Sequence, residues 1–379
     1  MKQINVGLIG FGMAGRLFHG PTITSTNGLN LFKVRETKAP NISIIKERYP
    51  DTIIVNNTNE ILNDPSIELV IVATPNVTHY EVATQALMAD KHVVVDKPFT
   101  VTSNEATQLI DLAKTKNKLL TVYQNRRWDS DFRTVKKVIN SNLLGNLVEY
   151  EAHYDRFRNT IRPDTWKEDG VLGTGLLYDL GSHLIDQALV LFGLPKTVMA
   201  DLRTQRNNAT IIDNFEMILD YGKLKVTLKG GMLIKEQLPH FIILGNNGAF
   251  VKFGMDVQEE ALLAGNAPNK TANWGEEPEN LWGTMNTEFN GIEFRGKVKS
   301  EAGNYVGFYE NVYNAMIGET ELEVKPEQAR NVIRVIELAM QSHKEKYRIE
   351  FSSLFFSSHL HNNFPFIFFY RLNRKTAKA

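Results

Sequence analysis

The sequence predicts an α/β protein in which an N-terminal doubly wound parallel sheet precedes a C-terminal α+β domain with a large, mostly antiparallel open sheet. Apolar strands alternate with helices from Ile4 to Tyr123, which is typical of βαβ units in a parallel sheet. From Val148 to Phe253 the strands instead alternate polar and apolar residues, as half-buried antiparallel strands do. A chain of 379 residues also exceeds the usual size of one core. The expected units are residues 1–123, residues 124–351 and an unassigned tail, 352–379.

Composition and charge argue against several classes of protein. Forty-three basic residues balance 43 acidic ones, so neither nucleic acid nor a membrane surface is expected as a partner. The absence of cysteine removes disulfides and thiolate sites, and the histidines and carboxylates lack metal-ligand spacing, so no metal is expected. The sequence shows neither a signal-peptide pattern nor an apolar run of the ~20 residues that a membrane span needs. A cytoplasmic location is the expectation.

The first strand ends in a glycine-rich turn. Ile4–Ile9 is an apolar run, and Gly10, Gly12 and Gly15 follow in the pattern Gly-x-Gly-x-x-Gly. The first glycine permits a tight turn, the second lets the backbone approach a pyrophosphate, and the third lets the next helix pack closely on the strand. A helix that starts near Met13 would direct its N–H groups and its positive dipole end at that phosphate. This context predicts a dinucleotide-binding Rossmann domain.

The end of the second predicted strand, Leu29–Arg35, bears on the choice of dinucleotide. In Rossmann domains a residue at this point meets the adenosine ribose. Glu36 favours the free 2′-hydroxyl of NAD, whereas Thr37 and Lys38, with Arg35, favour the 2′-phosphate of NADP. A third interpretation treats them all as solvated loop residues, since charged side chains are mostly exposed. We expect NADP, with NAD as the alternative.

Two further strand ends are expected to face the cofactor, because ligands of parallel sheets bind at the carboxyl ends of the strands. The apolar strand Ile67–Ala73 ends in Thr74-Pro75-Asn76, and His79 then either contacts the cofactor or caps the following helix. The strand His92–Asp96 ends in Asp96-Lys97-Pro98. A lysine there can hold the substrate oxygen and stabilise charge, with Asp96 holding its ammonium, although a surface Asp-Lys turn is the simpler interpretation.

The remaining elements are assigned from periodicity and turn signals. Helices are predicted at Leu17–Thr26, Ile42–Tyr49, Asn59–Leu62, Tyr80–Ala89, Asn104–Lys116, Phe132–Asn140, Tyr178–Phe192, Tyr305–Met316 and Pro326–Lys344, with Ser103 as the N-cap of the fifth. Strands are predicted at Ile53–Val55, Leu119–Tyr123, Val148–Tyr154, Phe215–Tyr221, Lys223–Gly231, His240–Leu244 and Ala249–Phe253. Residues 254–300 are expected to have little regular structure. For the aromatic tail we expect an unstructured extension, with a strand or an oligomer contact as the alternatives.

A second candidate site lies in the stretch Tyr178–Asp186. Asp179 and His183 stand four residues apart and therefore share one face of the predicted helix. A histidine titrates near neutrality and can take a hydroxyl proton while a hydride leaves the carbon, and Asp179 would bind the substrate or orient the ring. A contact that merely stabilises the helix is the simpler alternative.

Taken in order, these motifs resemble those of the Gfo/Idh/MocA oxidoreductases, over about residues 3–350. The resemblance rests on the glycine turn, Ala73–Asn76 with His79, Asp96-Lys97-Pro98, Asn125–Asp129 and Tyr178–His183. Within the family, the chain is similar to the bacterial NADP-dependent scyllo-inositol 2-dehydrogenases at Tyr123–Asp129, Tyr154–Arg158, Asp220–Leu224 and Asn331–Glu337. The family has glutamate where this chain has Asp96, and the tail has no counterpart that we recognise.

The resemblance implies roles for particular residues. Lys97, Asp179 and His183 match the family's catalytic lysine, aspartate and histidine, which also contact the substrate. Further candidate substrate contacts, at the rim of the pocket, are Tyr154, Arg158 and Trp166. Candidate cofactor contacts are Gly10, Phe11, Gly12, Met13, Ala14, Thr37, Lys38, Thr74, Pro75, Asn76, His79, Asp96, Lys97 and Asn125. The open face of the second sheet is expected to form a homodimer or a homotetramer.

The expected function is NAD(P)-dependent interconversion of a cyclic polyol, in the first place scyllo-inositol, or a sugar with its ketone. Two alternatives stay open: a dehydrogenase or reductase of another sugar or carbonyl compound, and a non-catalytic regulator that senses the cofactor on the same fold. The joint presence of Lys97, Asp179 and His183 favours an enzyme, because a pure sensor has no need of them.

Overall fold

The first sheet has six parallel strands in the order β3-β2-β1-β4-β5-β6. This computed structural model describes residues 2–162 and 165–352, so the expectation for the tail falls on residues outside those described. The strands are β1 (Ile4–Ile9), β2 (Leu29–Arg35), β3 (Ile53–Val55), β4 (Leu69–Val72), β5 (His92–Val95) and β6 (Leu120–Val122). The order is that of a Rossmann domain, whose ligands bind where the order reverses, between β1 and β4. The predicted doubly wound parallel sheet is confirmed.

Helices cover both faces of this sheet. Alternate residues of β4 belong to two separate hydrophobic cores, since Leu69 packs on one side and Val70 on the other. The helices are α1 (Gly20–Thr24), α2 (Ala39–Arg48), α3 (Asn59–Leu62), α4 (His79–Met88) and α5 (Ser103–Thr115). A π-helical turn, Gly15–His19, precedes α1 where one helix was predicted. The N-cap of α5 is Thr102 in a capping box with Glu105, so the predicted cap at Ser103 is wrong by one residue.

The second sheet has nine strands in the order β14-β13-β12-β11-β7-β10-β9-β8-β15. The strands are β7 (Leu147–Asp155), β8 (Thr197–Arg203), β9 (Asn214–Tyr221), β10 (Leu224–Gly231), β11 (Phe241–Gly245), β12 (Gly248–Lys252), β13 (Gly283–Phe289), β14 (Ile292–Val298) and β15 (Ile349–Glu350). Only β7 and β10 pair in parallel, so the mostly antiparallel sheet is confirmed. Tyr150, Ala152 and Tyr154 of β7 face the core, while Glu149 and Glu151 face outward.

The remaining helices lie in the second half of the chain. They are α6 (Ser130–Asn140), α7 (Ser182–Phe192), α8 (Gln258–Leu263), α9 (Val306–Met316) and α10 (Pro326–Glu345). Helix α10 contacts β8, α7 and α5, so it ties the second sheet to the first domain. Its Glu337 accepts hydrogen bonds from the backbone N–H and the hydroxyl of Ser103, both at 2.7 Å. No helix in the described part of the chain combines the length and hydrophobicity that crossing a membrane requires.

The expectation of little regular structure in residues 254–300 is wrong. This segment contains α8 and the hairpin of β13 and β14. Strand β14 is the last strand at one edge of its sheet, and Ile292 and Phe294 are both exposed. The strand does alternate apolar and charged residues, from Ile292 to Val298, so its period of two could have predicted it although most of its side chains are exposed.

Candidate active site

The glycine-rich turn joins β1 to the π-helical turn, and its three glycines have different reasons for being glycine. Gly10 has a φ of +102°, and a Cβ there would lie 2.4 Å from the carbonyl oxygen of Ala73. A Cβ on Gly15 would lie 2.3 Å from the carbonyl oxygen of Gly10. Gly12, in contrast, is exposed and a Cβ there would meet no protein atom within 4 Å. The fold itself therefore requires Gly10 and Gly15, whereas Gly12 leaves the backbone open to a ligand, as a dinucleotide pyrophosphate needs.

At the end of β2, the carboxylate of Glu36 is turned into its own loop. It accepts hydrogen bonds from the backbone N–H groups of Thr37 and Lys38, at 2.7 and 2.9 Å, and from the amide of Asn41 at 2.7 Å. Burial would raise the pKa of Glu36, but these hydrogen bonds lower it below its usual value. Thr37 and Lys38 are exposed. The carboxylate of Glu36 is thus occupied by hydrogen bonds, while the side chains of Thr37 and Lys38 remain open to solvent.

Two residues in and just after the turn that follows β4, Asn76 and His79, are buried. His79 is fully buried, and its two ring nitrogens lie 2.9 Å from the backbone carbonyl oxygens of Pro98 and Thr74. These contacts join the turn after β4 to the turn after β5, and they favour a role inside the protein over the predicted contact with the cofactor. Asn76 is also buried and donates to the carbonyl oxygen of Gly173 at 2.7 Å. Thr74 and the exposed Pro75 stay at the surface of the turn.

Asp96 does not hold the ammonium of Lys97, as the sequence led us to expect. One carboxylate oxygen accepts from the backbone N–H of Lys97 at 2.9 Å and lies 3.5 Å from Nε2 of His19. His19 in turn contacts the hydroxyl of Tyr309 at 2.6 Å through Nδ1. Burial would raise the pKa of Asp96, but His19 and Lys97 lower it. Asp96 therefore shapes the turn that carries Lys97 rather than pairing with its side chain.

The ammonium of Lys97 reaches across to the second domain and pairs with Asp179. Its Nζ lies 2.7 Å from the backbone carbonyl oxygen of Asp179 and 3.0 Å from Oδ1. Asp179 belongs to a second π-helical turn, Leu177–Gly181, which leads directly into α7. Such turns are rare and frequently occur at functional sites. The two motifs that the sequence singled out separately thus form one constellation.

His183 lies beside this pair on the first turn of α7. It is 3% exposed, and its Nδ1 is buried without a hydrogen-bond partner in the described chain. Burial, and then the positive charges of Lys97 and Arg126, hold the pKa of His183 well below 6.5, while Asp179 opposes them. The imidazole is therefore neutral near pH 7. Asp179 directs Oδ1 at Lys97 and Lys167 and acts on His183 through its charge, so its predicted roles of binding the substrate or orienting the ring stay predictions.

Two residues that sequence reasoning missed complete the constellation. Nζ of Lys167, in the short 3-10 helix Trp166–Glu168, lies 3.2 Å from Oδ1 of Asp179. Burial lowers the pKa of Lys97 and the Lys167 ammonium lowers it further, with Asp179 opposing both. Arg156, just beyond β7, adds a positive charge that lowers the pKa of both Asp179 and His183. The period of two could have found Arg156, two residues after the inward-facing Tyr154; nothing in the sequence pointed to Lys167.

Tyr154 is not at the rim of the pocket. It is fully buried, its ring centroid lies 6.2 Å from that of His183, and the guanidinium of Arg126 lies 5.3 Å above the ring. Arg126 is held by Asp129 and Glu259, at 3.0 and 2.6 Å. Tyr154 therefore lies near His183 on the inner, buried side of the histidine. This position disfavours a direct contact between the tyrosine and a substrate.

Three further candidates lie in varied settings. Arg158 and Trp166 are half-buried, and the ammonium of Lys167 lies 5.7 Å from the centre of the indole ring. Asn125 is 4% exposed in the short 3-10 helix that follows β6. Among the described residues, no group of three or more histidine, aspartate or glutamate side chains could hold a metal ion.

The comparison with protein families matches both halves of the chain. Residues 4–124 match the model of the oxidoreductase family with an NAD-binding Rossmann fold, and residues 136–351 match that of its C-terminal alpha/beta domain. The chain belongs to the Gfo/Idh/MocA oxidoreductase family. As a member of this family it is an NAD(P)-dependent oxidoreductase.

Individual relatives match over nearly the whole length. The chain is 40% identical to scyllo-inositol 2-dehydrogenase (NADP(+)) IolW of Bacillus subtilis, covering 92% of this chain and 96% of that protein. It is 39% identical to the uncharacterized oxidoreductase YdgJ of Escherichia coli, covering 91% and 97%. Among solved structures, the Bacillus subtilis protein yvaA matches with a TM-score of 0.89 at 40% identity, covering 93% of this chain and 99% of that one.

The different reasons for Gly12 and Gly15 lead to a test. Gly12→Ala should fold normally but bind the preferred dinucleotide about tenfold more weakly, about 1.4 kcal/mol, because the new methyl group occupies the approach of the pyrophosphate. Gly15→Ala, its matched control, should lose stability because its Cβ meets backbone at 2.3 Å. Thermal unfolding followed by circular dichroism and a fluorescence titration measure the two effects. Unchanged dinucleotide affinity in Gly12→Ala would contradict this division of roles.

Proposed function

We propose that this protein is an NADP-dependent dehydrogenase that interconverts a hydroxyl-bearing carbon of a cyclic polyol or sugar with its ketone, scyllo-inositol being the leading substrate. The observation that carries the proposal is the pairing of the Lys97 ammonium with Asp179 beside the neutral imidazole of His183. A donor and an acceptor for protons at one point suit the removal or addition of a hydroxyl proton. The 40% identity to an enzyme that acts on scyllo-inositol supports the substrate class.

Each member of the trio has a distinct part in this proposal. The Lys97 ammonium donates a hydrogen bond to the reacting oxygen and stabilises negative charge there as the oxygen loses its proton. The neutral His183 accepts that proton, and returns it in the reverse direction. Asp179 holds the lysine in place through its carboxylate and its backbone carbonyl oxygen. A bound NADP⁺ would supply the acceptor for the hydride, and with it the two electrons, that leave the carbinol carbon.

The preference for NADP over NAD rests on the end of β2. An NAD-specific site uses a free carboxylate to accept the 2′-hydroxyl, but the Glu36 carboxylate already accepts three hydrogen bonds within its own loop. The exposed Thr37 and Lys38 suit a phosphate instead. NADP dependence in the Bacillus subtilis relative supports the same choice.

The proposal includes self-association through the open face of the second sheet. It also includes a cytoplasmic location. The outward-facing Met199 of β8 is 41% exposed, and an apolar side chain on an open sheet favours a covering partner. A second copy of the chain would form a homodimer, or a homotetramer through a further contact. Light scattering on the purified protein measures its molar mass, and a monomer at micromolar concentration would contradict this part.

An activity assay tests the proposed function. The purified protein should reduce NADP⁺ in the presence of scyllo-inositol, and do so with a higher kcat/KM for NADP⁺ than for NAD⁺. Lys97→Met should lower kcat by about 10²–10⁴-fold while dinucleotide binding persists, because the charge at the reacting oxygen is then unsupported. Failure to oxidise any inositol or pyranose with either cofactor, by a protein that binds a dinucleotide, would count against an enzyme and in favour of the sensing alternative.

The pH dependence of kcat/KM gives a second test, through Lys167. Activity should fall as pH rises through the pKa of Lys97, because the ammonium is then lost. The Lys167 ammonium lowers that pKa, so Lys167→Gln should move the alkaline limb to higher pH, and Lys167→Arg should leave it near the wild-type position. The acidic limb, which reports His183, should move less, because the main causes of its pKa shift are burial and the charges of Lys97, Arg126, Asp179 and Arg156. An equal shift of both limbs would contradict these assignments.

A further inference from the structure

Beyond β7 the chain continues in extended form and carries two arginines towards the active site. The backbone N–H groups of Arg156 and Arg158 donate to the carbonyl oxygens of Gly231 and Met232, at 2.9 and 2.7 Å. Phe157 between them is exposed, whereas both arginines are half-buried. This alternation puts Arg156 and Arg158 on the side of the strand that Tyr154 occupies, which is the side of His183.

Among the described residues, these arginines have no partner of opposite charge in direct contact. Within residues 2–162 and 165–352, neither Arg156 nor Arg158 makes an ion pair or a side-chain hydrogen bond with the chain, and the nearby carboxylates are engaged elsewhere. Glu168 pairs with Arg206 at 2.8 Å. Asp155 lies 3.0 Å from the imidazole of His153, and Asp179 pairs with two lysines. In the described part of the chain, these three carboxylates thus take their direct contacts from other cations.

The crowding of like charges has an electrostatic cost. Burial lowers the pKa of Arg158, and the positive charges of Arg162 and Arg156 lower it further, while the carboxylate of Glu168 opposes them only in part. A guanidinium stays protonated at any physiological pH, so losing a proton does not relieve the repulsion between these positive charges. An anion that binds between the arginines would relieve it, and guanidinium groups bind carboxylate and phosphate oxygens in pairs of hydrogen bonds.

The position of the arginines indicates which molecule carries that anion. The dinucleotide elements, Gly12 and the loop of Thr37, belong to the first domain and lie at the ends of β1 and β2. Arg156 instead lies close enough to Asp179 and His183 to shift the pKa of each. An anion bound there is therefore next to the reacting carbon, and it belongs to the substrate.

We infer that Arg156 and Arg158 bind an anionic group of the substrate, so that the preferred substrate is a polyol or sugar that carries a carboxylate or a phosphate. The inference rests on the proposed function and, within its class of cyclic polyols and sugars, puts an anionic member ahead of the neutral scyllo-inositol as the preferred substrate. The chemistry common to both groups is a set of anionic oxygens presented to two guanidinium groups. The redox step is that of the proposed function: the carbinol carbon loses a hydride to NADP⁺, its oxygen loses a proton to His183, and the anionic group is unchanged.

Three compounds with the same pyranose ring test the preference. D-Glucose is neutral, D-glucuronate carries a carboxylate, and D-glucose 6-phosphate carries a phosphate. With NADP⁺ at saturation, the wild-type protein should show a kcat/KM at least about tenfold higher for one or both of the anionic compounds than for D-glucose, mainly through KM. The anionic compound with the higher value identifies the group. This preference should weaken as salt rises, because ions screen the attraction.

Variants connect the preference to the arginines. Arg158→Gln and Arg156→Gln should each lower the ratio of the anionic to the neutral kcat/KM by about tenfold, and Arg158→Lys should keep part of the ratio because it keeps the charge. Arg295→Gln removes an exposed guanidinium from β14 and should leave the ratio unchanged. Arg156→Gln should also raise the pKa that the acidic limb reports, since Arg156 lowers the pKa of His183.

The possible failures are distinct. If D-glucose and scyllo-inositol are oxidised as well as both anionic compounds or better, the inference is overturned and the proposed function stands. If an anionic preference survives both glutamine substitutions, the assignment to these arginines is overturned. If a protein that binds NADP⁺ oxidises none of the neutral or anionic compounds, the proposed function itself fails.

Discussion

The ion pair between Lys97 and Asp179 is the interaction on which the active site depends. The lysine comes from the turn after β5 in the first domain, and the aspartate from the π-helical turn that opens α7 in the second. Their side chains are 16% and 29% exposed, so each charge is largely removed from water and relies on the other. A partly buried charge without its partner is unfavourable, so the pair favours the arrangement in which the two domains meet at this point. His183, one helical turn beyond Asp179, is brought beside Lys97 by the same contact.

Positive charge surrounds this pair on several sides. The guanidinium of Arg126 lies over the ring of Tyr154, and the ammonium of Lys167 contacts the carboxylate of Asp179. Arg156 adds a positive charge from the end of β7. One consequence is that the pKa of His183 is well below its usual value, so its imidazole is neutral near pH 7 and its protonated form is a strong acid for a histidine. Another is that the site attracts negative charge, which in the proposed reaction would stabilise the oxygen that loses its proton. Arg156 and Arg158, beyond β7, continue this positively charged region away from the ion pair.

The framework behind the site contains buried charges that are fully paired. Arg127 follows β6 and makes two hydrogen bonds to Asp186 of α7, both at 2.7 Å. In the second domain, Lys252 and Glu277 pair at 2.8 Å with both side chains out of contact with solvent. Pairs of this kind are costly to bury, but they strongly disfavour any packing that separates them. The Arg127–Asp186 pair therefore fixes α7, and with it Asp179 and His183, relative to the end of the first sheet.

What the sequence by itself determined is everything encoded in neighbouring residues. The Rossmann sheet, the glycine turn and the motifs around Lys97 and His183 were predictable because a strand's periodicity or a turn's glycine acts over a few residues. The tertiary structure alone decided which partner each polar group takes. His79 binds two carbonyl oxygens, Asp96 shapes a backbone turn, Asp179 holds lysines, and Lys167 joins the site from a distant segment. Hydrogen bonds and ion pairs between segments depend on distances that only packing sets, and burial decides their strength, so no local pattern could have specified them.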